Sequence, residues 1–330
     1  VTFNNTGTLT LGNAAGDSIT FTGGVVATAP SSKSIGGTVA ASGAGVINFG
    51  TTGSTITADG TIGGTSTGQI TLAGVTINDG VTLTLGAGAA SPVSAGAIQG
   101  VAGGAASNIT INVADDVANP MVQIASIGTD IGTVTVTQSS GVTVTGTVNA
   151  GTVTLTNTTV GQTIDFQGGV TIGTLATAAE GYNVRFRNGG TITNAVTFSN
   201  TGSLTIDAGF TFTGGVVATA HSSVSVAGTV STGGGTGQDI NVGDSGTPVS
   251  LTADTVFSAG AGNITLGGAV DGGFGLTLKS TGTTTLGGAV GGTTALASLT
   301  TDAVGTTQIN GGVVTTTGAQ TYGDAVGLGS

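Results

Sequence analysis

The residues able to do chemistry in this 330-residue chain are few and scattered. Residues 234–242 read GGTGQDINV and match the calcium-binding nonapeptide G-G-x-G-x-D-x-U-x. Asp239 would be the ligand and Ile240 the residue in the apolar slot. Calcium takes roughly 6–8 oxygens, so the motif works in tandem copies that face each other on adjacent turns. No second copy flanks this one, and the corresponding stretch near Gly43–Asn48 lacks the aspartate. The competing reading is a glycine corner followed by an aspartate turn. Calcium at Asp239 is the one cofactor expectation that the residues raise.

Asp115-Asp116 is an acidic pair with no His or basic residue near it in sequence to complete an acid–base or metal site. It reads as a solvated loop. Arg185 and Arg187 alternate along one segment close to Glu180, the only glutamate. Arginine with carboxylates could serve a sugar-binding or polysaccharide-cleaving patch; a surface charge pair is the plainer reading. His221 is the only histidine, and a lone imidazole makes neither a triad nor a metal site. It stands where a duplicated segment has Pro30, so the position reads as a loop. Tyr182 and Tyr322 are too few for a stacking platform. No catalytic residue is assigned, and the chain is read as a non-enzyme.

Composition narrows the rest. Gly contributes 65 residues and charged residues only 6%, against roughly 7% Gly and 25% charged in ordinary domains. Glycine does not recur every third residue, which excludes collagen. Mean hydropathy is +0.42, too high for a disordered chain. The formal net charge is −11, and Lys33, Arg185, Arg187 and Lys279 are the only cations. A nucleic-acid binder needs a basic footprint, so that class is excluded, and an anionic membrane surface is disfavoured. No run approaches the roughly 18 apolar residues of a membrane span. Cysteine is absent, which removes disulfides and thiolate chemistry.

What positions these residues is a nested repeat. FTGGVVATA occurs at 21–29 and again at 212–220; VTFNNTGTLTL from Val1 matches VTFSNTGSLTI from Val196. Thr57-Ala58-Asp59 matches Thr252-Ala253-Asp254, and Leu83-Thr84-Leu85 matches Leu276-Thr277-Leu278. A superrepeat therefore runs 1–195 and 196–330, the second copy incomplete. Beneath it lies a shorter period marked by Gly-Gly pairs at 267, 287 and 311. Within each period Thr alternates with Val, Ile or Leu, as in Thr133–Thr137 and Thr152–Thr156. That is the period of a strand buried on one face.

The expectation is an all-β, right-handed parallel β-helix (a β-solenoid) of 20–24 residues per coil, one continuous domain over 1–330 with about 15 coils. Residues 86–130, Ala- and Gly-rich with Pro92 and Pro120, are expected to form wider loops or irregular coils. Outward Thr-x-Thr runs raise ice binding, which needs regular coils; the varying spacing argues for thriving exposed β residues instead.

The stretch TTTLGGAVGGTTALASLTTDAVGTTQINGGVVTTTGAQTYGDAV at 283–326, with the NTGTLTL and FTGGVV elements, resembles the repetitive shafts of filamentous-haemagglutinin-type exoproteins and large autotransporter adhesins. The resemblance implies a secreted or cell-surface bacterial rod. The function expected is a non-enzymatic extracellular structural or adhesive shaft, self-associating or stacking end to end into filaments. The alternatives are a carbohydrate- or surface-binding module, calcium-assisted or not, a polysaccharide-active enzyme, and an ice-binding protein. Partners expected are neighbouring repeats or subunits and a host, surface or carbohydrate ligand, with no nucleic acid and no membrane insertion.

Overall fold

The structure is a computed structural model that describes residues 1–115 and 122–329. It contains strands and no helix among the described residues, so no helix there is long and apolar enough to cross a membrane. The strands pair in parallel and stack as a β-solenoid of about 14 turns. The chain divides into two compact units, Val1–Gly168 and Gly169–Ser330.

Each rung of the first unit carries three short strands joined by corners. The first rung is Thr8–Leu11, Ser18–Phe21 and Val25–Val26; the second is Ser32–Ile35, Thr38–Ala41 and Ile47–Phe49. Stacking places equivalent residues in register. One inward ladder runs Leu9, Lys33, Ser54, Val75, Ile98, Ile127, Val148. A second runs Ile19, Val39, Ile62, Leu85, Ile111, Val136, Leu155. The third runs Val25, Ile47, Ile70, Val93, Val122, Val142, Ile164. Apart from Lys33 and Ser54 these are β-branched or leucine side chains that fit a pleated surface, and each rung closes its apolar face on the next.

The second unit repeats the plan. Val184, Leu204, Val224, Val249, Val270, Val290 and Val314 form one inward ladder. Val196, Val216, Ile240, Ile264, Thr284, Thr307 and Val326 form another. Between the ladders lies an aromatic cluster, with Phe186 from the Val184 strand, Phe198 just after Val196–Thr197, and Phe210 and Phe212 from Phe210–Phe212. Phe186 meets Phe210 at 4.7 Å, Phe210 meets Phe212 at 4.7 Å, and Phe198 meets Phe212 edge-on at 6.0 Å. All four rings are almost fully buried.

Coil length varies where the chain can absorb it. Gly190, Phe210 and Val230 are paired in two steps of 20 residues, whereas Val93 pairs with Val122 across 29. That widest step falls within 86–130, as the composition of the segment suggested. Even there Val93–Gly100 and Ser107–Asn112 keep the ladder, and residues 101–106 form the corner between them. The sequence duplication is structural too. Thr8–Leu11 and Ser203–Ile206 are strands with matching inward positions, Leu9 and Leu11 in one and Leu204 and Ile206 in the other, and Ile70–Leu72 corresponds to Ile264–Leu266.

Candidate functional surfaces and buried polar groups

The acidic residues act chiefly at corners. Asp and Asn side chains at or beside the strands accept, through a side-chain oxygen, a hydrogen bond from a backbone N–H one rung further on. Asp59 Oδ1 accepts from Thr82 at 2.7 Å, Asn108 Oδ1 from Thr133 at 3.1 Å, and Asn183 Oδ1 from Ser203 at 2.7 Å. Asp254 Oδ1 accepts from Gly275 at 2.8 Å, and Asp271 Oδ1 from Thr293 and Thr294 at 2.8 and 2.9 Å. These staples satisfy backbone donors that a corner would otherwise leave unpaired.

Asp239 belongs to this set. Its Oδ1 accepts from the Asn263 N–H at 2.7 Å, and the Asn263 Oδ1 then accepts from Thr283 at 2.8 Å. The preceding glycine-rich stretch folds as a turn: Gln238 N–H donates to Gly235 O at 3.1 Å and Gln238 Oε1 accepts from Gly235 N–H at 2.7 Å. No group of three His, Asp or Glu side chains comes together among the described residues. Because Asn263 does the same work with an amide, Asp239→Asn should be nearly neutral, whereas Asp239→Ala should cost about 1–2 kcal/mol. Urea melts with and without calcium check this, and a cost confined to calcium-containing buffer would support the metal reading instead.

Asp115 is held by the Asn157 amide and the Thr159 hydroxyl; Asp116 lies outside the described residues. Arg185 pairs through Nε with Asp207 Oδ2 at 2.6 Å, one rung away, with both side chains about a third exposed. Glu180, its expected neighbour, is exposed, as is Arg187. Tyr182 is a core residue: its hydroxyl oxygen accepts from the Ala178 N–H at 3.2 Å, and burial raises its pKa to about 12.

His221 corrects an expectation. It lies in a bend, but it is only 3% exposed, and its ring packs on Phe198 at 5.6 Å. Among the described residues neither ring nitrogen makes a well-formed hydrogen bond, and the Ala218 backbone beside the ring offsets the burial only in part. Its counterpart Pro30 is buried as well, so the position exchanges one packed group for another. Equivalent hydroxyls close both corners: Thr52 Oγ1 donates to Pro30 O at 2.7 Å, and Thr247 Oγ1 to His221 O at 2.6 Å. Burial lowers the His221 pKa from 6.5 to about 4. Between those values the unfolded chain binds the proton that the folded chain refuses, so stability is complete above pH 6.5 and falls toward pH 4. The loss is about 3 kcal/mol for a shift of this size. His221→Leu should flatten the difference between urea midpoints at pH 7 and pH 4.5; an unchanged difference would refute the assignment.

Lys33 was missed as a core residue. It is 2% exposed and occupies an inward ladder position between Leu9 and Ser54. Its Nζ donates to Thr52 O at 3.0 Å and to the Thr52 hydroxyl, while the buried Ser54 Oγ has no partner. The signal was present: Ser32-Lys33-Ser34-Ile35 aligns with Ser223-Val224-Ser225-Val226, so Lys33 stands where the second copy buries a valine. Burial lowers its pKa below 10.5. The unfolded chain therefore holds this proton more tightly, and stability rises as pH climbs through the folded pKa toward 10.5. Lys33→Met should raise stability at pH 7 by about 1 kcal/mol, because an ammonium held by Thr52 oxygens but with no carboxylate partner among the described residues gives way to an apolar side chain of similar length. A thermal melt unchanged or lowered would contradict this.

The last described rung leaves its core open. Leu328 continues the ladder through Leu286 and Ile309 yet is 78% exposed. With Val313, Val314, Tyr322 and Val326 it lines an apolar cavity of about 380 Å³.

No family model, no curated protein and no solved structure matches this chain.

Proposed function

We propose that this chain is a non-enzymatic length of shaft from an extracellular or cell-surface bacterial protein, structural or adhesive in role. The observation that carries the reading is the ladder itself. Each unit stacks its rungs in unbroken inward ladders, and the Asp and Asn side chains are spent on linking rung to rung. Such a fold holds its surface at a fixed spacing over many repeats, which is what a shaft supplies. The text of the repeats resembles filamentous-haemagglutinin-type and autotransporter shafts, which supports the same location.

Stacking onto further β-structure is part of the proposal. Its support is the apolar surface beside Ala325–Leu328, where Leu328 is 78% exposed and a second copy of the chain would find a face to cover. Electron microscopy of the purified chain should show thin rods, lengthening as concentration rises. Compact globules would overturn the shaft reading, and surface labelling that fails on intact producing cells would overturn the location.

A further inference from the structure

We propose that the threonine face of the first unit binds ice. The register builds a two-row lattice there. One row is Thr61, Thr84, Thr110, Thr135 and Thr154, each paired with the next one rung on. The neighbouring row, two residues earlier on the same strands, is Thr82, Asn108, Thr133 and Thr152. The rows are about 6.6 Å apart along the strands, and successive rungs about 4.8 Å apart across them. The coil length changes between these rungs, yet the strands stay aligned because corners take up the difference. The irregular spacing in the sequence therefore hides a regular surface.

Three properties select frozen water over other occupants. None of these positions carries a charge or an aromatic ring, so the face is matched to a neutral lattice and has no platform for stacking sugar rings. Among the described residues no hydrogen bond joins a threonine hydroxyl of either row to a protein group, and the side chains are partly exposed. Elsewhere ladder hydroxyls bond each other, as Thr8 does with Ser32 at 2.9 Å and Thr211 with Ser231 at 3.0 Å. Finally, the residues between them, Leu83, Ile109, Val134 and Val153, are at most 4% exposed. A packed core beneath β-branched side chains fixes their χ1 angles, so the methyl and hydroxyl array is ordered before it meets water.

The proposal is independent of the shaft reading, since it needs only the first unit's surface. The test is the gap between melting and freezing points of a solution of the whole chain, together with ice recrystallisation. The wild-type chain should open that gap and slow crystal growth. Thr110→Tyr, at the centre of the lattice, should abolish both effects. Thr110→Val keeps the shape, removes one hydroxyl and should weaken them. Thr143→Tyr, on a different side of the coil, should leave them intact; β-sheet circular dichroism confirms that each variant folds. A wild-type chain without effect on ice overturns the proposal. So does activity that survives Thr110→Tyr, or a concentration-dependent dimer that this substitution breaks while ice is unaffected.

Discussion

Gly288→Val is expected to cost at least about 3 kcal/mol and to reduce the cooperativity with which the second unit melts. The reason is the closeness of stacked corners. A Cβ on Gly288 would lie 2.4 Å from the Gly268 carbonyl carbon and 2.5 Å from the Ala269 nitrogen; one on Gly311 would lie 2.0 Å from the Gly288 oxygen. These obstacles are backbone, so no side-chain rotation relieves them. One member of each successive pair, Gly268, Gly288 and Gly311, thus belongs to a column of backbone-on-backbone contact that leaves no room for a side chain. The effect should be local to the column. Gly273→Ala, where nothing lies within 4 Å, should change the melt by less than about 0.5 kcal/mol. Equal effects at both positions in a urea titration would refute the argument.

Phe210→Ala should cost about 3–5 kcal/mol, the range for deleting a buried aromatic side chain. Phe210 is 1% exposed and sits between Phe186 and Phe212, both at 4.7 Å. Its removal leaves a void lined by rings that the short strands hold in place, so collapse recovers little. Phe210→Leu fills part of that space and should cost roughly half as much. Chemical denaturation with an unchanged m-value would confirm a loss of packing; a cost below about 1 kcal/mol would show the cluster to be loose.

The strands themselves were legible because Thr alternates with Val, Ile and Leu, and that alternation answers directly to inside and outside. The parallel pairing was legible because similar segments recur at coil length. Two sites were not. Asp239 sits in a calcium-like string because a tight corner followed by a rung staple asks for the same residues, glycines and then an aspartate. Only the position of the Asn263 N–H separates the two uses. Lys33 was obscured by its charge, since lysine is rarely fully buried. Its place in the Ser-x-Ser alternation, opposite Val224 of the second copy, was the better guide. His221 followed the same logic: a loop position by backbone, but a packed one by its equivalence to Pro30. The threonine lattice was hidden for a different reason. Spacing in sequence counts corner residues, whereas register in space does not.

The claim on which all of this rests is that consecutive coils lie one upon the next in parallel register. The chain has no cysteine, so introduced pairs report on proximity without interference. Thr84 and Thr110 are register partners, which places their Cα atoms about 4.8 Å apart, within reach of a disulfide. Thr84 and Thr135 lie two rungs apart, about 9.6 Å, and out of reach. On mild oxidation Thr84→Cys with Thr110→Cys should close an intramolecular disulfide, while Thr84→Cys with Thr135→Cys should retain two free thiols by mass spectrometry. The reverse pattern, or no closure of either pair in folded protein, would contradict the stacked-coil account.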